Sequence, residues 1–243
     1  MSAITTKCDS LEAMVAEFNA CAERYPPSQY EAHEEALNLM KLAARHVAGI
    51  IATARSDLGL LPPAEVAARG AYEASVKAAW LMAPADPFER ECRYIGHLRG
   101  EAKHLKKQAR ELSLIGIDPK HSEEKCRIVE SFADDVSKLL RQKGYSPPDG
   151  DPPIPDMLTA IGERHSYGLY AVLCQTAHGG HYSTWIFRGA GLGTYRTRGE
   201  FITPEKWELP LNMARFTFKK PGLFVLRQLG LDASGLGRAV GPN

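Results

Sequence analysis

The chain has 243 residues, 44% hydrophobic and 24% charged, with 30 basic against 29 acidic side chains and a net charge of +1. This composition supports a folded core and excludes disorder over most of the length. The charge balance excludes a global attraction to nucleic acid or anionic membrane and leaves only a local basic patch as a route to either.

Five cysteines are scattered without a Cys-x-x-Cys pair. They argue against a zinc ribbon or a disulfide framework and fit a reducing, cytoplasmic setting. Met1 to Ser10 lacks a basic start followed by an apolar run, so no signal peptide is expected. No stretch of about 18 uncharged apolar residues occurs, so no membrane-spanning helix is expected either.

In chain order, Leu11, Val15 and Phe18 recur at helical spacing and predict a helix from Asp9 to Tyr25, ended by Pro26-Pro27. Ser28 can cap a long second helix reaching about Leu60. A third, Ala-rich helix runs from Pro63 to about Met82, where small side chains permit close approach to neighbours. Pro84 and Pro87 precede a fourth, heavily charged helix from Phe88 to about Leu114, and Asp118-Pro119 starts a fifth to about Gly144. Residues 146–155 contain five prolines and read as an irregular connector, taken as a loop within a single domain spanning 1–243. Short helices follow at Pro155 to Gly162 and Ser166 to about Ala177.

The character then changes. Between Gly179 and Gly199 six glycines alternate with aromatic residues, which suggests a small hairpin or Gly-rich loop over 183–202 turning at Gly189 to Gly193. That glycine run lacks the strand-and-helix context of a dinucleotide fingerprint and the Gly-Lys-Ser/Thr of a P-loop, so it reads as a turn. A helix restarts at Thr203-Pro204, is interrupted at Pro210 and Pro221, and ends at Gly230. The Gly-rich tail from Ala233 reads as frayed. The fold expected is mainly α, a helical bundle with one small insertion.

Three constellations carry chemistry. Arg69 and Glu73 stand one helical turn apart, either as a surface ion pair or as a partly buried pair organising a pocket. Tyr170, Cys174 and His178 recur every four residues on one helical face, with His178 at the helix end ahead of Gly179-Gly180. A Cys–His nucleophile is disfavoured, because both side chains point the same way and no oxyanion donor accompanies them; a structural histidine is the plainer reading. On the fourth helix, Glu101 and His104 have the spacing of a carboxylate-bridged di-metal bundle but no second such pair exists, so no metal and no cofactor is expected. Its basic residues, Arg90 and Arg93 among them, form either a solvated charged face or a phosphate-binding one.

The order Arg69-x-x-x-Glu73-x-x-x-Lys77-Ala-Ala-Trp80-Leu-Met-x-Pro84, then Arg90-x-x-Arg93, then Tyr170-x-x-Leu173-x-x-x-x-His178, resembles a group of uncharacterised bacterial helical proteins. That group is distantly similar to the HEPN superfamily. The resemblance covers roughly Glu65 to Gly180 and implies a helical fold and nucleotide or RNA binding. It also implies, in some members, metal-independent ribonuclease activity in toxin or antiviral defence systems. Cys174 stands where the group has serine, and no arginine lies four to six residues before His178; only Arg99 and His104 offer that ribonuclease spacing, on another helix.

Two functions follow as expectations. In the first, Arg69, Glu73, Tyr170 and His178 form a hydrogen-bonded network in a non-catalytic or regulatory module. Arg90 and Arg93 then reach an anionic ligand, RNA or a protein partner. In the second, His178 acts as general acid or base and Arg69 stabilises the phosphorane of a ribonuclease, an activity that the resemblance associates with a homodimer.

Overall fold

The computed structural model describes residues 3–180, 183–184, 186 and 202–240. They form a mainly helical protein: α1 (Ala3–Ala22), α2 (Glu31–Ser56), α3 (Leu61–Met82), α4 (Pro87–Leu114), α5 (Lys120–Gln142), α6 (Ile154–Ala160), α7 (Tyr167–Ala177), α8 (Glu208–Thr217), α9 (Leu223–Gln228) and α10 (Ser234–Val240). No strand occurs among the described residues. The hairpin expected over 183–202, and the turn at 189–193, fall largely outside them. Ser183, Thr184 and Ile186 have 3-10 rather than extended geometry, so the hairpin receives no support. No described helix is long and apolar enough to cross a membrane.

Contacts group the chain into two compact units. The first comprises residues 1–27, 36–80 and 154–243. Its centre is filled from α1 (Leu11, Met14, Phe18), α2 (Met40, Val47, Ile50), α3 (Ala68, Tyr72, Val76) and the C-terminal helices (Leu211, Phe218, Leu226), all buried. The Phe18 and Phe218 rings meet at 5.8 Å. Buried alanines recur along α3 and keep that helix slim enough to sit within the apolar interior.

Several local readings need correction here. α1 begins a turn and a half before Asp9, because Cys8 belongs to the core and Lys7 pairs with Glu208. Pro62 and Pro63 mark the restart of the chain as α3, which begins at Leu61. They occupy the first turn of α3, where no backbone N–H is required. The change of direction falls earlier, at the 3-10 turn Leu58–Leu60, where the Asp57 carboxylate accepts from Gly59 N at 2.8 Å. Pro210 is likewise harmless in the first turn of α8, whereas Pro221 opens the helix into a π-turn, Phe218–Gly222. Over its described residues the tail is not frayed: Leu236 of α10 is fully buried, and α10 packs on α1.

The second unit comprises residues 28–35 and 81–153. α4 and α5 pack along one another around Cys92, Ile95, Ala133 and Leu140. Asp86 caps α4 by accepting from Phe88 N at 2.9 Å. Gly116 closes α4 with φ +75°, a backbone state glycine reaches without strain. Ser28 stands three residues ahead of α2, its hydroxyl accepting from Tyr30 N at 3.1 Å while its own N–H donates to Glu34 at 2.8 Å.

Candidate functional site

Within the first unit, α3 and α7 bring four of the sequence candidates together. Arg69 Nε donates to Glu73 Oε1 at 2.8 Å. Tyr170 OH donates to the same Oε1, also at 2.8 Å. Arg69 Nη1 lies 2.9 Å from His178 Nε2. A guanidinium can only donate, so the imidazole accepts through Nε2 and carries its proton on Nδ1 in this arrangement. Glu73 is thus shared by a cation from its own helix and a phenol from another.

The periodicity explains why these side chains meet. Residues 69 and 73 are one turn apart on α3, and 170, 174 and 178 succeed one another on one side of α7 and its C-terminal cap. Leu173, on the flank of that side, is fully buried and seats α7. The Tyr170 ring stacks on Tyr72 at 5.4 Å, and Tyr72 in turn stacks on Phe216. Tyr72 OH pairs with Ser166 Oγ at 2.7 Å. Burial pushes the Tyr72 hydroxyl up to about 12.

Electrostatically the site is half-buried and internally balanced. Arg69 and Glu73 retain 20% and 33% of their side-chain exposure, and His178 is exposed. Burial opposes the charge of Arg69, but the hydrogen bond and charge of Glu73 outweigh it and raise the guanidinium pKa. Burial first, then the bonds to Glu73 and Cys174, raises that of Tyr170. Nearby, Thr176 donates to Glu65 Oε2 at 2.5 Å. Burial raises the Glu65 carboxyl, with Thr176 and Lys206 pulling the other way. Cys174 is the one cysteine of the five that is not buried.

A row of rings and cations extends from this network. Arg164 lies over the Tyr167 ring at 4.7 Å, Tyr167 meets Tyr170 at 5.8 Å, and Arg69 stands 5.8 Å over Tyr170. Arg164 is exposed and both tyrosines are half-buried. Sequence reading misses Arg164 and Tyr167, although the three-residue steps from Arg164 to Tyr167 and from Tyr167 to Tyr170 are the signal that finds them once a helix start is placed at 167.

Arg90 and Arg93 belong to the second unit, and Arg90 has a structural task there. It is 6% exposed, donates from Nε to the Pro84 carbonyl at 2.7 Å, and from Nη1 to His33 Nε2 at 3.2 Å. Burial, and then the Arg90 charge, lowers the His33 pKa. Arg93 is half-buried, and desolvation lowers its pKa against the pull of Glu89. Three other polar side chains of α4, His97, Arg99 and Lys103, hold the proline-rich connector. Arg99 donates to the Pro148 carbonyl at 3.0 Å and to Ser137 Oγ at 2.9 Å. Lys103 reaches the Asp149 carbonyl at 2.7 Å, and His97 Nδ1 lies 2.8 Å from Asp151. Glu101 and His104 are exposed. Among the described residues no three His, Cys, Asp or Glu side chains are grouped as cation ligands.

No known family model matches the chain, and neither a curated protein nor a solved structure is significantly similar to it.

Proposed function

We propose that this chain is a non-catalytic helical module that binds single-stranded RNA or a nucleotide along the strip Arg164–Tyr167–Tyr170–Arg69–His178. The observation that carries the reading is the alternation of cations and rings along α7, with Arg164 from the 3-10 turn before it and Arg69 from α3. Tyrosine faces stack bases, and guanidinium groups meet phosphates, which is how sequence-tolerant single-strand binders work. Arg69 uses two of its five N–H groups on Glu73 and His178, so three remain to receive a phosphate oxygen. The Glu73 carboxylate and Tyr170 hold that guanidinium in place before a ligand arrives, which lowers the ordering cost of binding. The distant HEPN-like resemblance points the same way.

A metal-independent ribonuclease is the second reading, favoured by the 2.9 Å approach of Arg69 to exposed His178. These two group types serve phosphodiester cleavage as charge stabiliser and proton carrier. Against it, the same contact ties the Nε2 lone pair to Arg69, so His178 must first release the arginine to act as a base.

The test is anisotropy of a fluorescent 12-nucleotide RNA in EDTA, with a parallel gel for cleavage. Two phosphate contacts give a slope of log K against log salt of about −1.4, at about −0.7 per contact. Arg69→Ala and Tyr167→Ala each weaken binding about tenfold or more, and the RNA remains intact. Absence of binding at low salt rules the proposal out. Cleavage that disappears in His178→Ala replaces it with the second reading.

A further inference from the structure

The α4–α5 hairpin of the second unit ends in an apolar turn that stands open to solvent. Leu114, Ile115 and Ile117 surround Gly116 and are 69%, 70% and 51% exposed. The buried positions behind them are small: Ala102 and Ala109 from α4, Ser122 and Cys126 from α5. The seam is thus closed by small side chains, and the large apolar ones lie outside it at the end of the hairpin.

Turn geometry does not call for this. Ile117 N donates to Leu112 O at 3.0 Å and Gly116 N to Ser113 O at 3.1 Å, the paired bonds that end a helix at a left-handed glycine. That motif commonly sets an apolar residue at 117 against 112, but it asks nothing apolar of 114 and 115. Adjoining large apolar side chains left in water mark a contact surface.

The surroundings fit a lipid bilayer. Beyond Lys103, which Asp149 holds, α4 carries Lys106, Lys107 and Arg110 against Glu111 alone, all exposed. The start of α5, residues 118–127, is balanced at three basic and three acidic side chains. Lys107, Arg110 and Leu114 follow one another at three- and four-residue steps, so a cationic stripe runs down one face of α4 to the apolar turn. At about 1.5 Å rise per residue, Arg110 lies about 6 Å and Lys107 about 10 Å behind Leu114 along the axis. Apolar faces seat roughly 5–10 Å into the headgroup boundary of a bilayer, which places these two cations among its phosphates. The bonds from 116 and 117, with Ile115 N donating to Leu112 O at 3.2 Å, also satisfy the N–H groups of the turn internally, as a segment leaving water requires. RNA would use the cations and leave the three apolar side chains wet. A protein groove would take the turn without need of the stripe.

We propose that the end of the α4–α5 hairpin is a peripheral membrane anchor. Leu114, Ile115 and Ile117 enter the interfacial layer of a bilayer containing anionic lipid, and Lys107 and Arg110 meet its headgroups. No described helix is long and apolar enough to cross a membrane, so the contact is one-sided. The anchor is separate from the strip on α7 and stands whether or not that strip binds RNA.

The experiment sediments the full chain with vesicles of phosphatidylcholine alone or with about 30% phosphatidylserine. The chain partitions onto the mixed vesicles and far less onto the neutral ones. Leu114→Ser and Ile115→Ser each lower that partition about tenfold, and Lys107→Gln and Arg110→Gln about fivefold each. All four positions are exposed, and an unchanged urea midpoint verifies that each variant is folded. Ile115→Trp reads insertion directly: brominated lipid tails quench its emission beyond that of the native chain. No sedimentation with anionic vesicles, undiminished partition in Ile115→Ser, or no added quenching in Ile115→Trp overturns the proposal. Lipid-free self-association that Ile115→Ser abolishes also overturns it, and assigns the turn to a contact between copies of the chain.

Discussion

Arg69 in the first unit and Arg99 in the second both belong to long helices and both read as ligand-seeking cations, yet the structure uses them differently. Arg99 donates to a proline carbonyl and to a serine hydroxyl, and α4 as a whole grips the connector through Arg99, Lys103 and His97. Arg69 is fixed by a carboxylate on its own helix and keeps donors in reserve. The difference has a chemical origin. A proline-rich segment builds no hydrogen-bond ladder of its own, so its carbonyls need donors from elsewhere, and a planar guanidinium supplies several at once. Arginines facing a proline-rich connector are therefore clamps, whereas an arginine beside an i+4 glutamate and an exposed ring is positioned for a partner.

The comparison breaks most readily at Arg90. If it is a clamp, Arg90→Ala takes the Nε donor from the buried Pro84 carbonyl and costs about 3 kcal/mol, read from the urea midpoint. A variant of native stability would return Arg90 to the ligand candidates. Next is Gly96, where an added Cβ would come 2.6 Å from Pro148 Cγ. Gly96→Ala must push the connector off α4, at about 2 kcal/mol; an unchanged midpoint would show that the connector is not seated there. Arg99→Ala costs about 1.5 kcal/mol, and Arg99→Lys restores less than half, because an ammonium cannot reproduce the fork of donors. Full rescue by lysine would reduce the clamp to simple charge.

The smallest effect sharpens the picture of buried charge in the second unit. Glu91 is 9% exposed and accepts from Ala32 N at 2.8 Å. Burial raises its carboxyl pKa, Ala32 opposes that and Glu31 adds to it. The folded protein therefore holds this proton more tightly than the unfolded chain. Its contribution is complete below the ordinary carboxyl pKa and is lost as pH rises through the raised value. Urea midpoints from about pH 4 to about pH 7 should fall for the native chain relative to Glu91→Gln. Parallel curves would mean that Glu91 is not desolvated.

The helices of this fold are legible because their apolar residues recur at helical spacing, and the approach of Arg69, Glu73, Tyr170 and His178 follows from two i,i+4 patterns on helices. Other features are hidden for physical reasons. The role of Arg99 depends on a connector about fifty residues away, and the burial of Arg90 depends on His33, neither of which a local pattern encodes. Proline misleads at 210, since its cost depends on where in a helix it falls. α10 hides in a Gly-rich tail because its buried Leu236 stands between two glycines with no apolar repeat around it.

The most direct test of the central distinction compares Arg69→Ala with Arg99→Ala in one experiment, measuring affinity for the labelled RNA and the urea midpoint of each. The account predicts that Arg69→Ala loses about tenfold or more in affinity while its stability stays within about 1 kcal/mol of the native chain. Arg99→Ala should show the reverse. Native affinity in Arg69→Ala, with the loss appearing in Arg99→Ala instead, would contradict it.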